Sequence, residues 1–81
     1  MMTDAELTTL IFALLEENAP GCEPEQLQGD DNMREELELD SFDYLNFLIA
    51  LSEQLQVDIP EADYEKIQSL NTLLAYLQDK P

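Results

Sequence analysis

Hydrophobic residues recur along this chain at intervals of three and four positions, the spacing that places them on one face of an α-helix. The first such run follows Thr3, where the sequence Thr-Asp-Ala-Glu matches the capping box found at helix starts. Its apolar positions are Leu7, Leu10, Ile11, Leu14 and Leu15. Residues 18–21 (Asn-Ala-Pro-Gly) contain the residue types that commonly end a helix. The pattern therefore predicts a first helix that begins after Thr3 and stops near residue 18.

Three further segments in the second half of the chain show helical patterns. An apolar helix is predicted from about Ser41 to Leu55, and a short helix from Glu61 to Ile67. Residues 57–60 are expected to be extended, because a residue before proline avoids helical geometry. Ser69 is a suitable N-cap for a last helix with Leu70, Leu73, Leu74 and Leu77. No segment alternates apolar and polar residues as a β-strand would, so the fold is predicted to be all-α. Residues 1–81 are predicted to form a single domain. The expected architecture is a small four-helix bundle of three main helices and one short helix.

A long loop is expected between the first two helices, from about Asn18 to Asp40. A connection of this length is uncommon in a small domain unless it is functional or docked on the core. The apolar residues expected to dock it are Leu27, Met33, Leu37 and Leu39. The acids that begin at Asp30 suggest a calcium loop. However, Arg34 and Glu35 occupy places where an EF-hand requires an acid or amide and a glycine.

The helix predicted from Ser41 to Leu55 is apolar on two adjoining stripes. One stripe consists of Tyr44, Phe47, Leu48, Leu51 and Leu55, the natural core set. The second stripe consists of Phe42, Leu45 and Ile49, with Ser41 at its N-terminal edge. Asp43, Asn46 and Glu53 lie toward the remaining side. The second stripe is either an exposed binding patch or a surface covered by the long loop, and the pattern alone leaves both open.

The residue types present argue against a small enzyme. The chain has 81 residues, too few for a deep catalytic cleft. It has no histidine, which removes the commonest general base and the usual Ser–His and Cys–His pairs. Its one cysteine, Cys22, has neither a disulfide partner nor a second thiol for a metal pair. We therefore expect a protein that is not an enzyme and has no metal site.

The charge is strongly negative, with 19 acids against 3 bases and a formal net charge of −16. Such a balance opposes binding to nucleic acid phosphates and favours basic protein partners. Like-charge repulsion also favours a monomer. No apolar run approaches the about 20 residues of a membrane span, and the N-terminus does not resemble a signal peptide. The expected location is cytoplasmic.

Ser41 is flanked by two acids at the start of the second main helix. Asp40 suits the N-cap and Asp43 the third helical position, so spacing alone favours an ordinary helix start. With no histidine to activate it, Ser41 is a poor candidate for a catalytic nucleophile. A serine at an exposed helix start is nevertheless accessible to another enzyme, which would make it a site of modification.

The stretch LELDSFDYLNFLIALSEQLQVDIPEADYEKIQSLNTLLAYL resembles the acyl carrier proteins. The similarity extends without gaps from about Met33 to Leu77. Asp-Ser-Phe is a weak signal by itself. It gains specificity from the apolar helix, the Ile-Pro-acidic turn, the Glu-Lys-Ile sequence and the leucine-rich last helix that follow it.

The resemblance implies a four-helix fold and a carrier function. The family's modified serine falls on Ser41, to which a phosphopantetheinyl transferase would attach 4′-phosphopantetheine, whose thiol holds an acyl group as a thioester. Asp40 and Asp43 would contact basic residues of the transferase. The implied partners are this transferase and acyl-transferring or condensing enzymes with basic docking patches. Their docking face would consist of Phe42, Leu45, Asn46, Ile49 and Glu53.

Several residues depart from the pattern of many fatty-acid carriers. Phe42 replaces a leucine, Glu38 stands where glycine is common, and Tyr64 stands where a small residue is common near the acyl pocket. Tyr64 is therefore expected to narrow that pocket and to favour short or externally held acyl groups. The pathway implied is fatty-acid, polyketide or specialised lipid synthesis. The alternatives are an aminoacyl or peptidyl carrier and a non-carrier acidic module that binds a basic protein surface.

Overall fold

The computed structural model describes residues 2–79 of the chain, and within that range it is built from helices. In chain order they are α1 (Asp4–Asn18), η1 (Pro24–Gln26), α2 (Met33–Glu36), α3 (Ser41–Leu55), η2 (Glu61–Ile67) and α4 (Leu70–Gln78), where η1 and η2 are 3₁₀ segments. The three long helices α1, α3 and α4, together with η2, confirm the predicted all-α four-helix bundle. No helix in residues 2–79 is long and apolar enough to cross a bilayer.

Helix α1 begins with the capping box that the sequence predicts. The Thr3 hydroxyl accepts a hydrogen bond from the Glu6 backbone N–H at 3.1 Å, and the Glu6 carboxylate accepts one from the Thr3 N–H at 2.9 Å. These bonds favour the charged carboxylate, so that the pKa of Glu6 lies below its usual value, with the Thr3 backbone as the main cause. The local sequence therefore fixes the start of α1.

The core lies where α1, α3 and α4 face one another. Its buried residues are Leu7, Ile11, Leu14 and Leu15 of α1, Tyr44, Phe47, Leu48 and Leu51 of α3, Ile59 and Ile67 around η2, and Leu70, Leu73 and Leu77 of α4. Phe47, Leu48 and Leu51 are fully enclosed. The predicted core stripe of α3 is confirmed, except that Leu55 at the helix end is only half-buried.

The connection between α1 and α3 contains two short helical segments, η1 and α2, rather than being structureless as the length of the predicted loop suggested. Met33 and Leu39 are buried, and Leu27 and Leu37 pack partly against the core, so the expected docking residues are confirmed.

Backbone hydrogen bonds attach this connection to the region where α4 begins. The Met33 N–H donates to the Gln68 carbonyl at 2.8 Å, and the Asn71 N–H donates to the Gly29 carbonyl at 2.8 Å. Gly29 approaches Asn71 so closely that a Cβ at Gly29 would lie 2.5 Å from the Asn71 side chain. The connection is therefore held at a defined position beside α4.

The short helix predicted from Glu61 to Ile67 has those bounds, but it is a 3₁₀ segment. It follows Pro60, which has extended geometry and provides no side-chain cap. Apolar spacing over seven residues does not distinguish an α-helix from a 3₁₀-helix, because the two differ little over so few turns.

Candidate functional site

The first turn of α3 presents Ser41 at the surface of the protein. Asp40 is the N-cap, and its Oδ1 accepts a hydrogen bond from the Asp43 backbone N–H at 2.7 Å. Ser41 is the first helical residue and is exposed, whereas Asp43 in the same turn is half-buried. The acids that flank Ser41 therefore build the helix start, and their position near the positive end of the helix stabilises it.

Arg34 in α2 reaches the hydroxyl of Ser41, a contact that sequence reasoning missed. Its Nη2 donates a hydrogen bond to Ser41 Oγ at 3.2 Å. Its guanidinium carbon lies 5.6 Å from the centre of the Tyr44 ring, within the range of a cation–π contact. From the sequence, Arg34 was informative only as a residue that does not fit an EF-hand calcium loop. Two features of the sequence could have pointed to this contact. Arg34 is the only arginine in a chain of net charge −16, and it precedes Ser41 by seven residues.

Tyr44 lies beneath the Arg34 guanidinium, next to Ser41. Its side chain is buried, and its hydroxyl donates toward the carbonyl oxygens of Tyr64 and Ile67, each at 3.3 Å. Burial raises the pKa of Tyr44 to about 12, and the nearby Tyr64 adds to this increase while Arg34 opposes it. Tyr44 thus links the start of α3 to the backbone of η2.

A cleft of about 260 Å³ opens beside Ser41, between α3 and η2. Its lining residues are Arg34, Ser41, Tyr44, Leu45, Glu61, Tyr64, Glu65 and Gln68. The Tyr44 and Tyr64 rings meet edge to face with their centroids 6.4 Å apart. Because this volume lies just below the about 300–1,000 Å³ of typical ligand pockets, the cleft can hold only a small group.

The second apolar stripe of α3 is exposed, which settles the alternative that the sequence left open. Phe42, Leu45 and Ile49, hereafter the α3 patch, expose 69%, 38% and 43% of their surface. The connection between α1 and α3 does not cover them. Asn46 is half-buried and Glu53 is exposed on the same helix. Side chains this apolar and this exposed on one helix mark a surface suited to binding a partner.

A larger open depression of about 610 Å³ lies on the connection between α1 and α3, lined in part by Cys22, Glu23 and Asp43. Burial, followed by the charges of Glu16 and Glu25, raises the pKa of the Cys22 thiol, which favours its protonated form. Among residues 2–79, no group of acids and cysteine is arranged to hold a metal ion.

The sequence matches a family model described as "Phosphopantetheine attachment site" over residues 13–77. This range includes η1, α2, α3 and η2, the C-terminal part of α1 from residue 13, and all of α4 except Gln78. The residues that surround Ser41, including those that line the cleft, therefore all lie within the matched region.

Two curated relatives are acyl carrier proteins. The one from Thermosynechococcus vestitus is 25% identical over 79 residues, which cover 98% of this chain and 96% of the relative. The mitochondrial one from Saccharomyces cerevisiae is 24% identical over 71 residues, which cover 88% of this chain. The matched part amounts to 57% of the length of the yeast protein.

Among solved structures, the acyl carrier protein from Enterococcus faecalis superposes with a TM-score of 0.73. The superposition covers 99% of this chain and 100% of the other, at 21% sequence identity. This likeness concerns the fold, and it agrees with the helix order described above.

Proposed function

The chain belongs to the acyl carrier protein family, whose members bear a phosphopantetheine attachment site, and from this premise we propose that Ser41 is the residue that carries 4′-phosphopantetheine. The observation that supports this proposal most directly is the exposed Ser41 hydroxyl at the start of α3, beside a cation. The cofactor is covalently attached in this family. When attached, it supplies a thiol that holds an acyl group as a thioester.

The residues around Ser41 fit a phosphate-containing group. Ser41 Oγ accepts a hydrogen bond from Arg34, so the hydroxyl proton stays available to the base of a transferase. Among residues 2–79, the Arg34 side chain makes one hydrogen bond, to Ser41 Oγ, so the outer N–H groups of its guanidinium keep donor capacity beside the serine. A new phosphate would also lie at the N-terminus of α3, where the helix dipole favours negative charge.

We assign partner recognition to the α3 patch and its polar surroundings. A basic enzyme surface would be steered by the net charge of −16, while the apolar side chains of Phe42, Leu45 and Ile49 would be desolvated in the complex. Asn46 and Glu53 would contact the rim of the interface. Asp40 caps the helix through Oδ1, and its other carboxylate oxygen and the carboxylate of Asp43 would face basic residues of the transferase.

The cargo proposed is a short or externally held acyl group, in fatty-acid, polyketide or specialised lipid synthesis. Tyr44 and Tyr64 occupy the space between α3 and η2, and the core below them is filled by Phe47. Acyl groups of increasing length, loaded on the carrier, should give no steady rise in melting temperature. A steady rise with long chains would show that the interior accepts them and would contradict this assignment.

Intact mass tests the attachment site. Incubation with coenzyme A and a promiscuous phosphopantetheinyl transferase should add about 340 Da to the chain. Ser41→Ala should abolish the addition. Ser52→Ala, on the same helix with its hydroxyl bonded to the Ile49 carbonyl, should retain it. If the unsubstituted chain gains no mass, the carrier function is wrong for this chain, and the α3 patch favours an acidic protein-binding module instead.

A further inference from the structure

Arg34 is held in place from several sides. It lies in the short helix α2, whose first residue, Met33, is fully buried. Its guanidinium lies over the Tyr44 ring, and the enclosed Nε shows that the inner edge of the guanidinium is shielded from solvent. The side chain is therefore positioned before any ligand arrives, so little conformational entropy is lost when it binds one.

No carboxylate in residues 2–79 forms an ion pair with Arg34. The other described cation, Lys66, pairs with Asp63 at 3.4 Å. In a chain of 19 acids, an arginine without a carboxylate partner is notable, because buried or half-buried charges are usually paired. What Arg34 contacts instead is the hydroxyl of Ser41. Its remaining N–H donors are suited to an anion with several oxygen atoms.

We propose that Arg34 is an intramolecular phosphate-binding residue, which holds the phosphodiester formed on Ser41 and positions the first part of the attached arm beside the Tyr44–Tyr64 cleft. The proposal rests on the function proposed above. Nη2 already lies 3.2 Å from the oxygen that would be esterified. Phosphate oxygens bonded to the same phosphorus would therefore lie within reach of the guanidinium. Arg34 takes no part in bond formation and acts as a positioning residue.

The alternative role for Arg34 is purely structural, through its contacts with Tyr44 and Ser41. Both roles predict that Arg34→Gln lowers the stability of the unmodified chain. Only phosphate binding predicts that the effect of attaching the arm depends on Arg34. The informative quantity is therefore the melting temperature of the modified chain minus that of the unmodified chain, measured within each variant.

The first experiment measures this difference for the unsubstituted chain, Arg34→Gln, Arg34→Lys and the control Lys66→Gln. Attachment should raise the melting temperature of the unsubstituted chain by about 3 °C, as expected for one charge-assisted bond near the surface. In Arg34→Gln, attachment should lower it, because the new negative charge adds to the net charge of −16. Lys66→Gln removes one positive charge elsewhere, and attachment should raise its melting temperature by the same amount as in the unsubstituted chain. Arg34→Lys should give an intermediate difference. Equal differences in Arg34→Gln and the unsubstituted chain would overturn the proposal.

A second experiment separates this proposal from the carrier function by placing phosphoserine at position 41, without any transferase. Titration followed by phosphorus NMR should give a second phosphate pKa about half a unit lower in the unsubstituted chain than in Arg34→Gln. If the transferase adds no mass but this difference is present, the carrier function fails and the phosphate site stands. If the arm is added but neither experiment depends on Arg34, the phosphate site is wrong and the carrier function stands.

Discussion

The two apolar faces of helix α3 have similar side chains and opposite surroundings. Phe47, Leu48 and Leu51 are fully buried in the core, whereas Phe42 in the first turn exposes 69% of its surface. One apolar face suffices to join a helix to a core of this size. The second face adds little to folding, in keeping with the partner-binding role proposed for the α3 patch.

The largest expected effect comes from exchanging phenylalanine for alanine on each face. Phe47→Ala should lower the free energy of unfolding by about 3–5 kcal/mol, because it leaves a cavity in a filled core. Phe42→Ala should change it by less than about 0.5 kcal/mol. Urea unfolding followed by circular dichroism measures both. A Phe42→Ala variant as unstable as Phe47→Ala would show that the α3 patch is part of the core.

Tyr44, on the buried face, should make folding sensitive to alkaline pH. Its pKa is raised from 10.0 to about 12, so the folded chain holds the hydroxyl proton more tightly than the unfolded chain does. The resulting stabilisation is complete below about pH 10 and is lost as the pH rises toward 12, with a total of about 2–3 kcal/mol.

Unfolding free energies measured between pH 9 and 12 test the role of Tyr44. Tyr44→Phe lacks the hydroxyl that donates toward Tyr64 and Ile67, and it should lose the greater part of this pH dependence. An unchanged alkaline profile in Tyr44→Phe would assign the effect to other groups.

A smaller effect is expected at the α3 patch, on recognition rather than on folding. Phe42→Ala should reduce kcat/KM of a phosphopantetheinyl transferase about tenfold, equivalent to about 1.4 kcal/mol, because an exposed aromatic side chain at the centre of an interface contributes strongly to binding. Leu74→Ala, on α4 and half-buried against the core, serves as the control and should leave the rate unchanged. Equal rates for all three chains would exclude Phe42 from this interface.

The smallest effect concerns the backbone on either side of α3. Glu38 before the helix and Gln56 after it both have φ of +54°, in the left-handed region that favours glycine. Glu38→Gly and Gln56→Gly should each raise the melting temperature by about 2–4 °C, since relief of backbone strain exceeds the added entropy of the unfolded chain. Glu53→Gly, inside the helix, should lower it instead. A decrease at Glu38 would mean that its side chain makes a stabilising contact.

The sequence-based predictions succeeded where the signal was local. The capping residues Thr3, Asp40 and Ser69 begin α1, α3 and α4 as expected, because a cap depends on residues within one turn. The buried stripe of α3 was also predictable, since helical spacing alone defines it. The exposed position of Ser41 agrees with its place in the first turn.

The remaining features depend on contacts between distant parts of the chain. Whether the α3 patch is covered depends on the path of the connection, which is set by its bonds to Gln68 and Asn71. The contact between Arg34 and Ser41 exists because α2 forms within that connection, and four residues give too weak a helical signal to be recognised in sequence. The spacing of apolar residues over seven positions also could not reveal that η2 is a 3₁₀ segment.

Two main-chain bonds hold the connection against the start of α4, from Met33 N–H to Gln68 and from Asn71 N–H to Gly29, and a third bond joins the side chains of Asn32 and Gln68. Any residue other than proline can donate a main-chain bond, so position 71 can change without loss of the attachment, whereas position 33 must also stay apolar because Met33 is fully buried. Substitutions in this region are therefore constrained at Met33, by burial, and at Gly29, by the close approach of the side chain at position 71. Exposed side chains elsewhere in the connection can thus vary while the cation keeps its position beside Ser41.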